Sequence, residues 1–243
     1  MKVLSRYSSI PTKHSRQRRN LDCCRSFTAV EILRELQSST VSAPTLHALA
    51  IRIGRNHKLA RELWNTQNHE ARILATLIAE PGKVTSSLME KWASDFDSWS
   101  VVDSACCYLF ALTDLAWDKA FAWSRRRQEF VKRAAFSLVA YLSYKDKNAS
   151  DTKFRKFFKV IEREAWDDRN FVRKAVNWAL RNIGKRNPHL NRAAIETAER
   201  IRTQHSSTAR WIASNALREL KSEAVQSRLK RKTARKFAKQ AHR

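Results

Sequence analysis

Phe130-Val131-Lys132-Arg133-Ala134 is echoed further along the chain by Phe171-Val172-Arg173-Lys174-Ala175: an aromatic, a valine, two bases and an alanine. Ala179-Leu180-Arg181 likewise returns as Ala216-Leu217-Arg218. Self-similarity at a spacing of ~30–40 residues marks a helical repeat array, in which each unit buries its apolar stripe only against its neighbours. Counting ~100° per residue, 129–144 places Val131, Ala135, Leu138 and Leu142 on one face, with Arg133 on the opposite side. In 170–185 the apolar face is Val172, Ala175, Val176, Ala179 and Ile183. Trp178 lies opposite it, in a stripe with Lys174, Arg181 and Lys185.

The pattern extends outward in both directions. A helix over 98–113 would put Val101, Ala105, Tyr108, Leu109 and Leu112 on its core face. Trp99 and Asp103 then stand one turn apart on the other side. In 208–220, Trp211 and Arg218 lie off the apolar face of Ala209, Ala213, Ala216 and Leu220. Each of these is the second helix of a pair, so their off-core faces should line one surface. A tryptophan beside a carboxylate on such a face is an uncommon choice, and the surface is the candidate site.

Composition agrees with an all-α chain. Only 3 Gly and 4 Pro punctuate 243 residues, too few for the turns of a β-protein. Helix signals recur instead: Thr28-Ala29-Val30-Glu31 is a capping box, Ser42 and Pro44 open a second helix, and Gly54 closes it. The charge balance is 48 Lys+Arg against 23 Asp+Glu, a net +25, with a pI of about 10.7. A polyanion is the expected partner, and nucleic acid leads because the bases are spread along the chain rather than gathered on one membrane-binding segment. The cysteines form two adjacent pairs, Cys23-Cys24 and Cys106-Cys107, a spacing suited neither to a disulfide framework nor to zinc, so a reducing cytoplasm is expected. The seven histidines show no metal-binding grouping, no apolar run approaches the ~20 residues of a membrane span, and no secretory signal is visible. The chain divides into a basic N-terminal segment (1–25) expected to be disordered, a helical-repeat domain (26–220) and a basic tail (221–243).

Glu62-Leu63-Trp64, His69-Glu70-Ala71-Arg72, and the runs 96–103, 130–135, 170–187 and 209–220 resemble the DNA alkylation repair family. These are AlkD-type alkylpurine DNA glycosylases built from HEAT-like repeats, and the resemblance spans roughly 27–220. It implies a HEAT-like helical-repeat solenoid, a superhelix of antiparallel helix pairs whose concave basic face holds duplex DNA. It also implies hydrolysis of the N-glycosidic bond of cationic N3- or N7-alkylated purines by a monomer, with no metal and no organic cofactor, acting in the cytoplasm at the nucleoid. By resemblance the catalytic set falls on Asp103, Trp99, Trp178 and Arg133. The DNA-contacting candidates are Lys174, Arg181, Lys185, Arg173, Trp211 and Arg218. Between Gln37 and Val41 the chain passes almost directly from one helix to the next, where the family carries a longer segment.

Plainer readings stand beside these. Tryptophans on second helices commonly wedge repeats together, and Trp64, Trp92, Trp117 and Trp123 are expected in the core or at repeat junctions. Arg133 could pair with Asp103 for structural reasons, and Cys106 and Cys107 would serve as small packing residues. The tail bases of 228–239 would be a solvated extension adding nonspecific affinity. A catalytic enzyme, a non-catalytic binder of branched or distorted DNA, and a protein-interaction scaffold all remain compatible with the repeats.

Overall fold

The computed structural model describes residues 27–37 and 41–241, the last seven of these by backbone alone. The proposed N-terminal segment, Cys23-Cys24 and the short link between Gln37 and Val41 lie outside the described residues. Everything described is helix, turn or connecting loop, and two compact units divide at Glu80/Pro81.

The first unit contains α1 (Ala29–Gln37), α2 (Ala43–Ile53), α3 (His57–Asn65) and α4 (His69–Ile78). The first two starts are those the sequence signals. Glu31 Oε2 accepts from the Thr28 backbone N–H at 3.1 Å, and Ser42, Asn56 and Asn68 each accept from the amide three residues on. Gly54 ends α2 at φ +74°, a conformation other residues rarely adopt. Leu59, Leu63, Trp64, Leu74 and Ile78 form the dry centre.

The second unit opens with a short 3₁₀ turn, Pro81–Lys83, and runs through α5 (Ser86–Ser94), α6 (Trp99–Ser104), α7 (Ala116–Trp123), α8 (Glu129–Lys145), α9 (Asp151–Glu164), α10 (Asn170–Gly184), α11 (Pro188–Arg202), α12 (Ser207–Leu220) and α13 (Glu223–Ala241). The second helices form a row, α6 against α8, α8 against α10 and α10 against α12, and α7, α9 and α11 back them. The sequence echo has a physical counterpart, because Phe130 and Phe171 lie ring to ring at 5.2 Å across neighbouring repeats. Gly184 allows the close approach of α10 to α11 and α12. A Cβ there would stand 2.6 Å from Leu220 Cδ2 and 2.9 Å from Ala194 Cβ.

Three expectations need correction. The stretch 98–113 is not one regular α-helix: α6 passes into a π-helical turn, Ala105–Leu109, and a 3₁₀ turn, Phe110–Leu112. A wider turn rotates everything after it. Leu112, expected on the core face, is 47% exposed, while Phe110 is fully buried among Trp92, Phe96 and Trp123 at 6.3, 6.5 and 5.9 Å. That aromatic nest is the packing gain that offsets the irregular backbone. Second, α8 is not two-faced, since every residue from Val131 to Ser143 is buried. Ala134, Ala135, Ser137 and Ala140 are small enough to let helices close in from several sides. Third, the tail after residue 220 is not wholly a solvated extension. In α13, Val225 and Leu229 are buried, and Gln226 Nε2 donates to Asn191 Oδ1 at 3.1 Å and to the Leu220 carbonyl at 2.6 Å.

Trp64, Trp92, Trp117 and Trp123 are buried as expected. So are Cys106 and Cys107, which are free thiols. The Cys106 Sγ lies 3.6 Å from the Ala134 carbonyl.

Candidate nucleic-acid interface

The site grows from the start of α6. Ser98 caps it, its Oγ accepting from the Val101 amide at 3.4 Å. Trp99 follows at once and is 48% exposed. One turn on, Asp103 is only 5% exposed, although it lies off the apolar face of its own helix. Arg133 and Ser137 of α8 cover it. Arg133 Nη2 donates to Asp103 Oδ2 at 2.8 Å and Nε to Oδ1 at 3.2 Å, a two-pronged pair. Ser137 Oγ donates to Oδ1 at 2.9 Å, and Arg133 Nη1 donates to the Phe171 carbonyl at the start of α10 at 3.0 Å. One guanidinium therefore ties three second helices together. Burial pushes the Asp103 carboxyl above the usual carboxylate range, against the opposing pull of Arg133 and Ser137. The π-turn begins two residues later.

Further along the row, Trp178 is half-buried. Its ring meets Tyr141 edge-on at 4.9 Å and 84°, and Tyr141 meets Tyr144 at 5.9 Å. Tyr141 is 3% exposed, Tyr144 41%. Burial drives the Tyr141 hydroxyl far above its ordinary range and that of Tyr108 up to about 12, so both are neutral hydroxyls at any physiological pH.

The basic candidates divide. Lys174 and Arg218 are exposed, the latter with Nη2 donating to Asn215 Oδ1 at 3.0 Å. Arg181 and Lys185 both hold Glu219, Lys185 at 2.6 Å. Against burial, these two cations keep the Glu219 carboxyl below its usual range. Arg173 stacks over the Trp211 ring at 5.1 Å, leaving Trp211 36% exposed. The structure thus joins Asp103 to Arg133 and Arg173 to Trp211, and ties Arg181 and Lys185 to an acid rather than leaving them for solvent. Sequence reasoning missed Ser137, Tyr141 and Tyr144. Ser137 and Tyr141 stand one and two turns beyond Arg133, so the same i+4 stripe could have found them.

The sequence profile of the DNA alkylation repair enzymes matches residues 24–220. The chain belongs to the DNA alkylation repair enzyme family. Among solved structures, it resembles a protein described as belonging to a new family related to the HEAT-like repeat DNA glycosylases, with affinity for branched DNA structures. The TM-score is 0.71 at 19% identity, over 84% of this chain and 96% of that one. At that identity the likeness is one of fold, and the fold of this family member is the HEAT-like helical repeat. No curated protein is similar enough to count as a relative. Among the described residues no helix is long and apolar enough to cross a membrane, and no group of three His, Cys, Asp or Glu side chains could hold a metal ion.

Proposed function

We propose that this family member is a DNA glycosylase that hydrolyses the N-glycosidic bond of N3- or N7-alkylated purines in duplex DNA. One observation carries the reading. A carboxylate, Asp103, is held in place by three donors one turn from an exposed tryptophan, in the same row of helices as Trp178.

The chemistry asks for little more. An alkylated purine is already cationic and departs with the bonding electron pair as a neutral base, so no general acid is needed. Positive charge then develops on the sugar, and a fixed carboxylate stabilises it electrostatically. Arg133 and Ser137 occupy three of roughly four acceptor directions of Asp103. The remaining direction, on Oδ2, suits a water whose oxygen attacks the anomeric carbon while its proton passes to the carboxylate. A carboxyl raised by burial is the stronger base for that step. Trp99 and Trp178 would hold the sugar and backbone with ring faces toward the developing charge, and Lys174 and Arg218 would take phosphates.

Incubation with duplex containing N7-methylguanine should release free base, and duplex containing uracil should not, because a neutral leaving group needs activation this site lacks. Uracil release at a comparable rate would overturn the mechanism. A second reading, a binder of branched or distorted DNA without cleavage, is favoured by the depth at which Asp103 is buried under Arg133 and by the affinity described for the structural relative. Tight binding of alkylated duplex with no free base over many hours would select it.

A further inference from the structure

The turn joining α9 to α10 carries an indole that the site above does not use. Trp166 is 61% exposed, the most exposed tryptophan among the described residues. Its ring is nevertheless anchored. Lys132 Nζ lies 5.9 Å from the ring centroid, and that ammonium is itself pinned between Glu164 at 2.6 Å and Asp167 at 3.1 Å.

The end of α9 and this turn together clasp the α7–α8 loop. Arg163 Nη2 donates to Ser124 Oγ at 3.0 Å, and Arg169 Nη1 donates to the Arg127 carbonyl at 2.6 Å. The loop that bears Arg125, Arg126 and Arg127 is therefore held to the segment that carries the indole, and all three arginines are exposed. The acids nearby do not cancel them. Glu164 and Asp167 lie buried beneath, engaged by Lys132, Arg163 and Arg169. Glu129 accepts from the Phe171 amide, and Glu90 reaches Arg126 at 3.6 Å. Asp168 is exposed, and among the described residues no acid pairs with Arg125 or Arg127.

We propose that Trp166 with Arg125, Arg126 and Arg127 forms a second nucleic-acid contact, on which an unpaired DNA base stacks while the arginines hold its flanking phosphates. One face of the indole is backed by a cation, and the exposed remainder offers a fixed apolar plate. Every base has a complementary π-face, but only an unpaired one can present it. Contiguous guanidinium groups match phosphate oxygens. A membrane surface is the poorer fit, since a single indole on a turn lacks the broad apolar face of an interfacial helix.

The test uses the whole chain and undamaged DNA, so it is independent of any excision activity. Affinities are measured for a blunt duplex and for the same duplex with a single-stranded tail. Trp166→Ala should weaken tailed-duplex binding by about 5- to 150-fold and leave the blunt duplex within about twofold, while Trp166→Phe should keep most of the preference. Arg125→Ala/Arg127→Ala should weaken the tailed duplex more at low salt than at high. The melting temperature of Trp166→Ala should stay at the parent value, since the ring is exposed. Equal affinity of Trp166→Ala and parent for the tailed duplex would overturn the proposal. So would equal losses on both duplexes, or a Trp166-dependent affinity for anionic vesicles with DNA binding unchanged.

Discussion

At the scale of the residue, the proposed mechanism gives Asp103 two jobs that pull in different directions. As a catalytic carboxylate it must face the sugar, and as a buried anion it must keep Arg133. Asp103→Asn separates them. Loss of one preorganised charge should cost about 3–4 kcal/mol of barrier, a fall of ~100–1000-fold in single-turnover excision of N7-methylguanine, with duplex affinity little changed. Stability should fall too. Removing one partner of a buried pair typically costs about 3–5 kcal/mol, an upper bound here because asparagine keeps some hydrogen bonding. Rates must therefore be compared well below the variant's melting temperature. If excision falls only in proportion to the unfolded fraction, Asp103 is structural. A pH profile checks the same assignment. The proposed reaction needs ionised Asp103, and burial raises its carboxyl above the ordinary 3.8. Excision should then be lost as pH falls through a value above that of an ordinary aspartate, and Asp103→Asn should abolish this acid limb.

At the scale of the element, α8 shows how neighbours override a helical wheel. Lys132 is buried because the end of α9 and the turn after it bring Glu164 and Asp167 over it. Burial alone would raise the Asp167 carboxyl, but donors from Arg169 and Lys132 hold it below its usual range. A depressed carboxyl contributes stability above its unfolded value and loses it as pH falls through the folded one. Lys132→Met keeps the stem volume but takes the shared ammonium from two buried acids, leaving each only its arginine. Calorimetry should show a loss of at most about 3–5 kcal/mol at neutral pH, shrinking in acid as Asp167 protonates. An unchanged melting temperature would mean that the network is looser than its geometry. The break after α6 teaches the same lesson, because the nest around Phe110 fixes a π-turn that no 100° periodicity contains.

At the scale of the whole molecule the governing quantity is the net charge of +25. Duplex binding should weaken steeply with salt. Each neutralised phosphate contributes about −0.9 to the slope of log K against log salt, so roughly five contacts give −4 to −5. Lys174→Ala/Arg218→Ala, at exposed bases, should flatten that slope by about 2. Lys185→Ala should flatten it less, because its ammonium is already committed to Glu219. If the double variant leaves the slope unchanged, the row of second helices is not the DNA surface.

Much of this protein is legible without coordinates. Sparse glycine and proline, apolar residues at helical spacing, capping residues and two echoed motifs determine an all-helical repeat, because those signals act over one or two turns of chain. The basic excess is a sum over the composition and needs no fold to be read. The local spacing that singles out Trp99, Asp103, Arg133 and Trp178 is likewise a property of single helices. What only the tertiary structure decided is which side of each helix meets water. Arg133 reaches Asp103 across 30 residues and Lys132 reaches Asp167 across 35, and Trp166 is left bare on a turn tied to the loop of three arginines. Burial of a charge depends on which helices arrive from elsewhere in the chain, and no periodicity within one helix carries that information.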